Sequence, residues 1–171
     1  MVFAVGIRPV RIDVTQRIEV PRDRVVAALA DPAWYEAAGS SPGLGAPEPL
    51  SLSVDDGVLR TSVRWRYVGT LPPLAARFVD AERLTWVIEV RCDLSTHSGT
   101  LHVVPDHYEG LLTCEAQLSF EEDGTATIER VTGDLSVKVP FVGEAVERGI
   151  ANGFVEHVAT EAGALEEFCS R

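Results

Sequence analysis

The stretch Asp134-Leu135-Ser136-Val137-Lys138-Val139-Pro140, followed by a helical run from about Val142 to Phe168, decides how the fold is read. A strand halted by a proline and followed at once by an amphipathic helix needs a broad apolar surface for that helix to lie on. The residues upstream supply strands. The expected product is a curved sheet gripping a helix.

At 100° per residue, with Phe154 set to zero, Val146, Ile150, His157, Val158, Glu161, Leu165 and Phe168 fall within about 80° of it. Glu144, Arg148, Asn152, Glu156 and Glu166 fall mostly toward solvent. The stripe is thus apolar but carries one histidine and one glutamate. Glu144 and Glu147 suit the positive end of the helix dipole. Gly149 and Gly153 each cost roughly 1 kcal/mol of helix propensity relative to alanine, so close approach to the sheet or a cavity is expected beside them.

Upstream, Val10 to Val20 alternates, with Ile12, Val14, Ile18 and Val20 on one face and Arg11, Asp13, Arg17 and Glu19 on the other. This is the pattern of a half-buried strand. Pro21 ends it and opens a short helix through Val25, Val26 and Leu29; Asp31-Pro32 closes that helix and caps a second one through Trp34 and Tyr35. The Gly- and Pro-rich residues 39–49 read as a loop, either a connector or a lid. Strands are then expected at Leu50–Val54, Val58–Val68, Leu84–Cys92, His97–Val104, Leu111–Glu121 and Thr125–Val139, with hairpin turns at Asp55-Asp56-Gly57 and Glu122-Asp123-Gly124. Apolar parity switches between Ile128 and Val131, which predicts a bulge in the last strand. Arg60, Arg64 and Arg66 line up on one strand face, as a solvated face paired with neighbouring carboxylates or as an anion site.

The chain of 171 residues is long enough for one domain, residues 1–171, with a substantial core. A net charge of −11 disfavours nucleic acid and anionic membranes as partners. The apolar runs are too short for an integral membrane segment, and Met1 to Gly6 lacks a basic leader, so no secretory signal is expected. Of the 15 basic residues only Lys138 is lysine, which hints at a GC-rich bacterial genome. Cys92, Cys114 and Cys169 are far apart and odd in number, as expected of reduced thiols in a cytoplasm. Oligomeric state is not legible.

The order of elements and the segment Gly133-Asp134-Leu135-Ser136-Val137-Lys138-Val139-Pro140-Phe141-Val142-Gly143, with Glu147 beyond it, resemble the START-like (SRPBCC) helix-grip superfamily. This superfamily includes pollen-allergen-like proteins, lipid-transfer domains and polyketide cyclases; the closer resemblance is to an actinobacterial branch of unassigned function. Val20-Pro21-Arg22-Asp23-Arg24-Val25 fits its opening. The resemblance implies an α+β fold: a curved antiparallel sheet of about seven strands around a long C-terminal helix, two short helices after the first strand, and a cavity for an apolar ligand. It supplies no shared catalytic set.

Candidate pocket residues from the sheet are Trp65, Tyr67, Trp86, Ile88, Cys114 and Leu118, which sit on the dry faces of their strands. From the helix they are Val146, Ile150, Gly153, Phe154 and His157. His157 and Glu161 lie one turn apart, so the carboxylate could orient the imidazole as a general base; a helix-face pair at the sheet rim accounts for the same spacing. His97, His102 and His107 lack a metal-ligand spacing, so no metal is expected, and no cofactor is implied. Three readings follow: a module that binds, carries or senses a lipid-like or polyketide-like hydrophobic molecule, a cyclase or dehydratase using His157 and Glu161, and a protein-interaction module.

Overall fold

The computed structural model describes residues 9–71, 73–110, 112–138 and 143–171, and for 143–147 the backbone alone. The expected stop at Pro140 and helix start at Val142 lie outside the described residues. The strands are β1 (Val10–Ile18), β2 (Glu48–Asp55), β3 (Val58–Arg66), β4 (Thr85–Asp93), β5 (Ser98–Pro105), β6 (Leu112–Asp123) and β7 (Ala126–Val137). They form one antiparallel sheet in the order β1-β7-β6-β5-β4-β3-β2. Two short helices, α1 (Arg22–Leu29) and α2 (Pro32–Ala37), follow β1, and the long helix α3 (Gly143–Cys169) ends the chain. This is the α+β helix-grip arrangement expected from the sequence.

Local chemistry explains the joints. Asp31 caps α2, its carboxylate accepting from the Ala33 amide at 2.9 Å, with Pro32 in the first helical position. The β2–β3 hairpin turns through Asp56 and Gly57 at φ 50° and 74°, the left-handed pair that a two-residue turn requires. Arg64 donates to Asp106 at 3.0 and 3.1 Å and lies 3.5 Å from Glu48, while Arg60 lies 3.9 Å from Asp55. These two arginines of the β3 row are spent on neighbouring carboxylates.

The bulge expected between Ile128 and Val131 is absent: β7 pairs with β6 and with β1 in unbroken register. Glu129, Val131, Leu135 and Val137 all face the core, and Ile128 faces outward, half-buried. The parity never switches. A buried carboxylate occupies the place where an apolar residue was expected. The one register shift among these ladders lies in β2, between Pro49 and Ser51.

Inside the sheet, Ile18, Leu59, Cys92, Leu118, Phe120 and Val131 pack with Val25 of α1, Trp34 of α2 and Leu165 of α3. A second cluster joins Ile12, Val14, Cys114 and Leu135 to Val158. The Trp34 and Phe168 rings meet edge-on at 5.7 Å. At its C-terminal end α3 is tied down by Arg24, which donates to the Cys169 carbonyl, and by Glu166, which accepts from the Glu19 amide at 2.7 Å.

Gly133 sits between Ile12 and Ala116 on the flanking strands. A Cβ there would overlap the Glu115 carbonyl oxygen and stand 2.6 Å from the Ala116 Cα, so the strands approach more closely than any side chain permits. Gly133→Ala is expected to lower stability by ~1–3 kcal/mol. Gly163→Ala, on the exposed side of α3 with open space around the added carbon, is expected to raise it by up to ~1 kcal/mol. Urea unfolding of both variants checks the pair.

Candidate functional site

Between the concave face and α3 lies a cavity of about 90 Å³. Its walls come from the inward residues of β3 (Leu59, Thr61, Val63, Trp65), β4 (Ile88, Val90, Cys92), β5 (Leu101), β6 (Leu118, Phe120) and β7 (Glu129, Val131), closed by Tyr35 of α2 and by Phe154, His157, Val158 and Glu161 of α3. Alternation places every second strand residue on this wall, and the i, i+3, i+4, i+7 spacing of 154, 157, 158 and 161 places the helix residues on the same side.

Most of the wall is apolar, yet a group of polar side chains converges within it. Glu129 is only 8% exposed, and its Oε2 accepts from Gln16 Nε2 of β1 at 2.5 Å. Glu161 Oε2 lies 4.0 Å from His157 Nε2, too far for a hydrogen bond. His157, 9% exposed, is held by an edge-on contact with the Trp65 ring at 4.5 Å and by Ser41 Oγ, 3.3 Å from Nδ1. Tyr35 donates to the Leu29 carbonyl at 2.9 Å.

The low-polarity surroundings move these groups toward their neutral forms. Burial lowers the His157 pKa to about 4, so the imidazole is neutral at pH 7. Burial also raises Glu161 to about 7, and raises Glu129 to about 7 with help from the nearby Glu161 charge and against the Gln16 hydrogen bond. The 28% of the Glu161 side chain that remains accessible softens its share of this push. Desolvation, and then Glu161, push the Tyr35 hydroxyl upward as well. At neutral pH the two carboxyls compete for protons with no cation beside them: no arginine or lysine lines the cavity among the described residues.

Of the residues singled out from the sequence, the structure brings Trp65, Ile88, Leu118, Phe154, His157 and Glu161 to the cavity. Tyr67 instead lies by the 39–47 loop, its hydroxyl donating to the Thr70 carbonyl at 3.1 Å, where Leu44 bridges to it and Gly45 N donates to the Arg66 carbonyl at 2.9 Å. Trp86 is half-buried opposite Trp65, near the end of the sheet. Cys114 belongs to the second core cluster. Ile150 is 37% exposed, and Gly153 is exposed with open space where a Cβ would be, as at Gly149, so close sheet approach explains neither glycine. The Val146 side chain lies outside the described residues. Glu129, Tyr35, Thr61, Gln16 and Ser41 were not singled out. The signal for Glu129 was its even spacing from Val131, Leu135 and Val137.

The chain belongs to the DUF2505 family, proteins of unknown function, whose model matches residues 13–169. No curated protein sequence matches it. Among solved structures it is similar to TTHA0849 from Thermus thermophilus, at 17% identity and TM-score 0.65, covering 94% of this chain and 97% of that one. It is similar to the Zhui aromatase/cyclase from Streptomyces sp. R1128, at 14% identity and TM-score 0.62, covering 95% and 94%. A third is Ara h 8.0201, at 12% identity and TM-score 0.57, covering 94% and 97%. At such identities these likenesses show the helix-grip fold alone.

A carboxyl whose folded pKa lies above its unfolded value near 4.5 holds its proton more tightly when native, so stability is lost as pH rises through about 7. His157 acts with the opposite sign: its depressed pKa means stability is lost as pH falls from about 6.5 toward 4. Glu161→Gln removes the Glu161 share of the first effect, leaves the part that burial alone imposes on Glu129, and leaves the second. Its melting temperature relative to the parent is therefore expected to be higher at pH 8 than at pH 5, by at least ~3 °C, as measured by thermal melts across that range.

Proposed function

We propose that this chain, as one helix-grip domain over residues 1–171, binds a small hydrophobic molecule between the sheet and α3, as a carrier or sensing module. The observation that carries this reading is the cavity itself, an apolar enclosure under the grip helix with a few convergent polar groups, which is the usual form of a small-molecule site. Its size refines the ligand. A dry cavity of roughly 150 Å³ accommodates benzene, so about 90 Å³ suits only a compact occupant unless the wall yields. A lipid-like or polyketide-like ligand requires that yielding. Phe154 is the gate best suited to it, because it is only partly buried and its helical neighbours Ile150 and Val155 are already exposed.

A second reading, acid–base chemistry of the cyclase or dehydratase kind, is favoured by the inward His157, whose Nε2 has no hydrogen-bond partner among the described residues. A histidine whose pKa is about 4 is a weak base, however, and general-base work is best served by a pKa near the working pH. Binding without catalysis accounts for the same residues with fewer demands.

The three free, buried cysteines support a reducing cytoplasmic setting, and the arginine-for-lysine bias supports a GC-rich bacterial source. No described helix is long and apolar enough to cross a membrane.

Benzyl alcohol, a neutral probe two heavy atoms larger than benzene, requires the wall to yield at Phe154, and is expected to shift the amide resonances of cavity residues such as Leu118, Val131 and Phe154 in a saturable NMR titration. Val90→Phe, which fills the cavity from β4, is expected to weaken that binding at least ~10-fold while the fold persists, at a cost of about 1–3 kcal/mol from overpacking. Native mass spectrometry of the freshly purified protein is expected to show a co-purified small molecule that the variant lacks.

A further inference from the structure

We infer that the molecule this cavity selects is a cation, a compact apolar amine whose protonated nitrogen sits between Glu129 and Glu161. The inference rests on the cavity being a ligand site and adds the ligand's chemical class.

Three observations carry it. Glu129 is more than nine-tenths buried and lines the cavity, and Gln16 engages only its Oε2; Oε1 has no donor among the described residues. Glu161 reaches the same cavity from the opposite wall, α3 against β7, and its nearest basic group is a histidine ring nitrogen 4.0 Å away. No arginine or lysine lines the space among the described residues, so the carboxylates have no internal counter-ion. A buried carboxylate without a cation is costly, and proteins ordinarily neutralise it with a basic side chain. Here the site leaves that place to the occupant.

The remaining titratable groups on the wall do not supply positive charge. His157 of α3 is neutral at pH 7 because it is buried, Tyr35 of α2 holds its proton more tightly than a free phenol, and the Cys92 thiol of β4 is likewise pushed up by burial. An arriving ammonium group would let both carboxyls ionise and would release the protons they hold at neutral pH. A neutral hydroxyl can accept a hydrogen bond from a protonated carboxyl but recovers none of that charge. A carboxylate ligand such as a fatty acid would meet like charge in a low-dielectric space. The resulting order of preference is amine over alcohol over acid.

Three probes of one shape test this: benzylamine, benzyl alcohol and benzoate, titrated by NMR at pH 7.5. The expected result is benzylamine at least ~10-fold tighter than benzyl alcohol, equivalent to ~1.4 kcal/mol, and no saturable shift with benzoate. The benzylamine advantage is expected to shrink at pH 5, where the carboxyls are protonated, and the amine-to-alcohol ratio in Glu129→Gln/Glu161→Gln to fall within ~2-fold of unity. Should that variant fail to fold, the pH comparison on the parent protein decides alone. If benzyl alcohol binds and benzylamine binds no better, or its advantage is unchanged at pH 5, the cation inference is overturned while the ligand-site reading stands. If none of the probes binds, both fall.

Discussion

One helix cannot cover seven strands. Strands spaced about 4.8 Å apart make a sheet close to ~30 Å wide, against a helix diameter of about 10 Å. The sheet must curl around its helix or leave apolar surface wet. Here α3 rests mainly on β1 and β7 at one edge, while α1 and α2 support it from beneath. The inward faces of β3 to β6 curl toward the helix, with Gly133 permitting close strand approach where the sheet meets it. What the helix and the curl together do not fill is the cavity. Its position follows from the mismatch in width, and the side chains on its walls decide how much of it stays open. Its chemistry is what is particular to this chain.

That chemistry runs against stability. A valine or leucine at position 129 would continue the inward row of β7 and bury apolar area at no electrostatic cost. The chain instead holds Glu129 there, steadied by Gln16, and faces it with Glu161. Burial raises both pKa values, so above neutrality the fold carries charge it would rather lose. Groups that cost stability without an internal partner cluster at functional sites, because the compensating interaction arrives with the ligand. Thr127 makes the contrast: it is fully buried yet donates to the Val20 carbonyl at 2.7 Å.

Much of the fold was legible because periodicity is a direct record of burial. Strand alternation in Leu59, Thr61, Val63 and Trp65, the Asp-Gly turn at 56–57, and the helical spacing of Phe154, His157, Val158 and Glu161 each state which way a side chain points. Two kinds of information were not legible. Hydropathy assigns a face by assuming that apolar means inward, so Ile128 displaced Glu129 in the reading of β7, and a phantom bulge was needed to restore the phase. Periodicity also assigns a face but not a position along the element. Trp86 and Ile150 share faces with true cavity residues, yet they sit where the sheet or its cover has run out. Ser41 was invisible for a third reason, since its contact with His157 spans 116 residues of chain and depends on how a loop returns.

His157 can be read as a catalyst or as part of the cavity wall, and the direction of its pKa shift separates the two. A general base needs a pKa brought toward the working pH, with its proton exchanged at each turnover; His157 has been moved away from neutrality, to about 4. The carboxyls have been moved toward neutrality, to about 7, where a small change in local charge alters their protonation. An incoming positive charge is the event that shifts them furthest, and it does so with no covalent change in the ligand. The polar group under α3 therefore fits the proposed charge-responsive site, with the neutral imidazole, fixed by Trp65 and Ser41, as part of its wall.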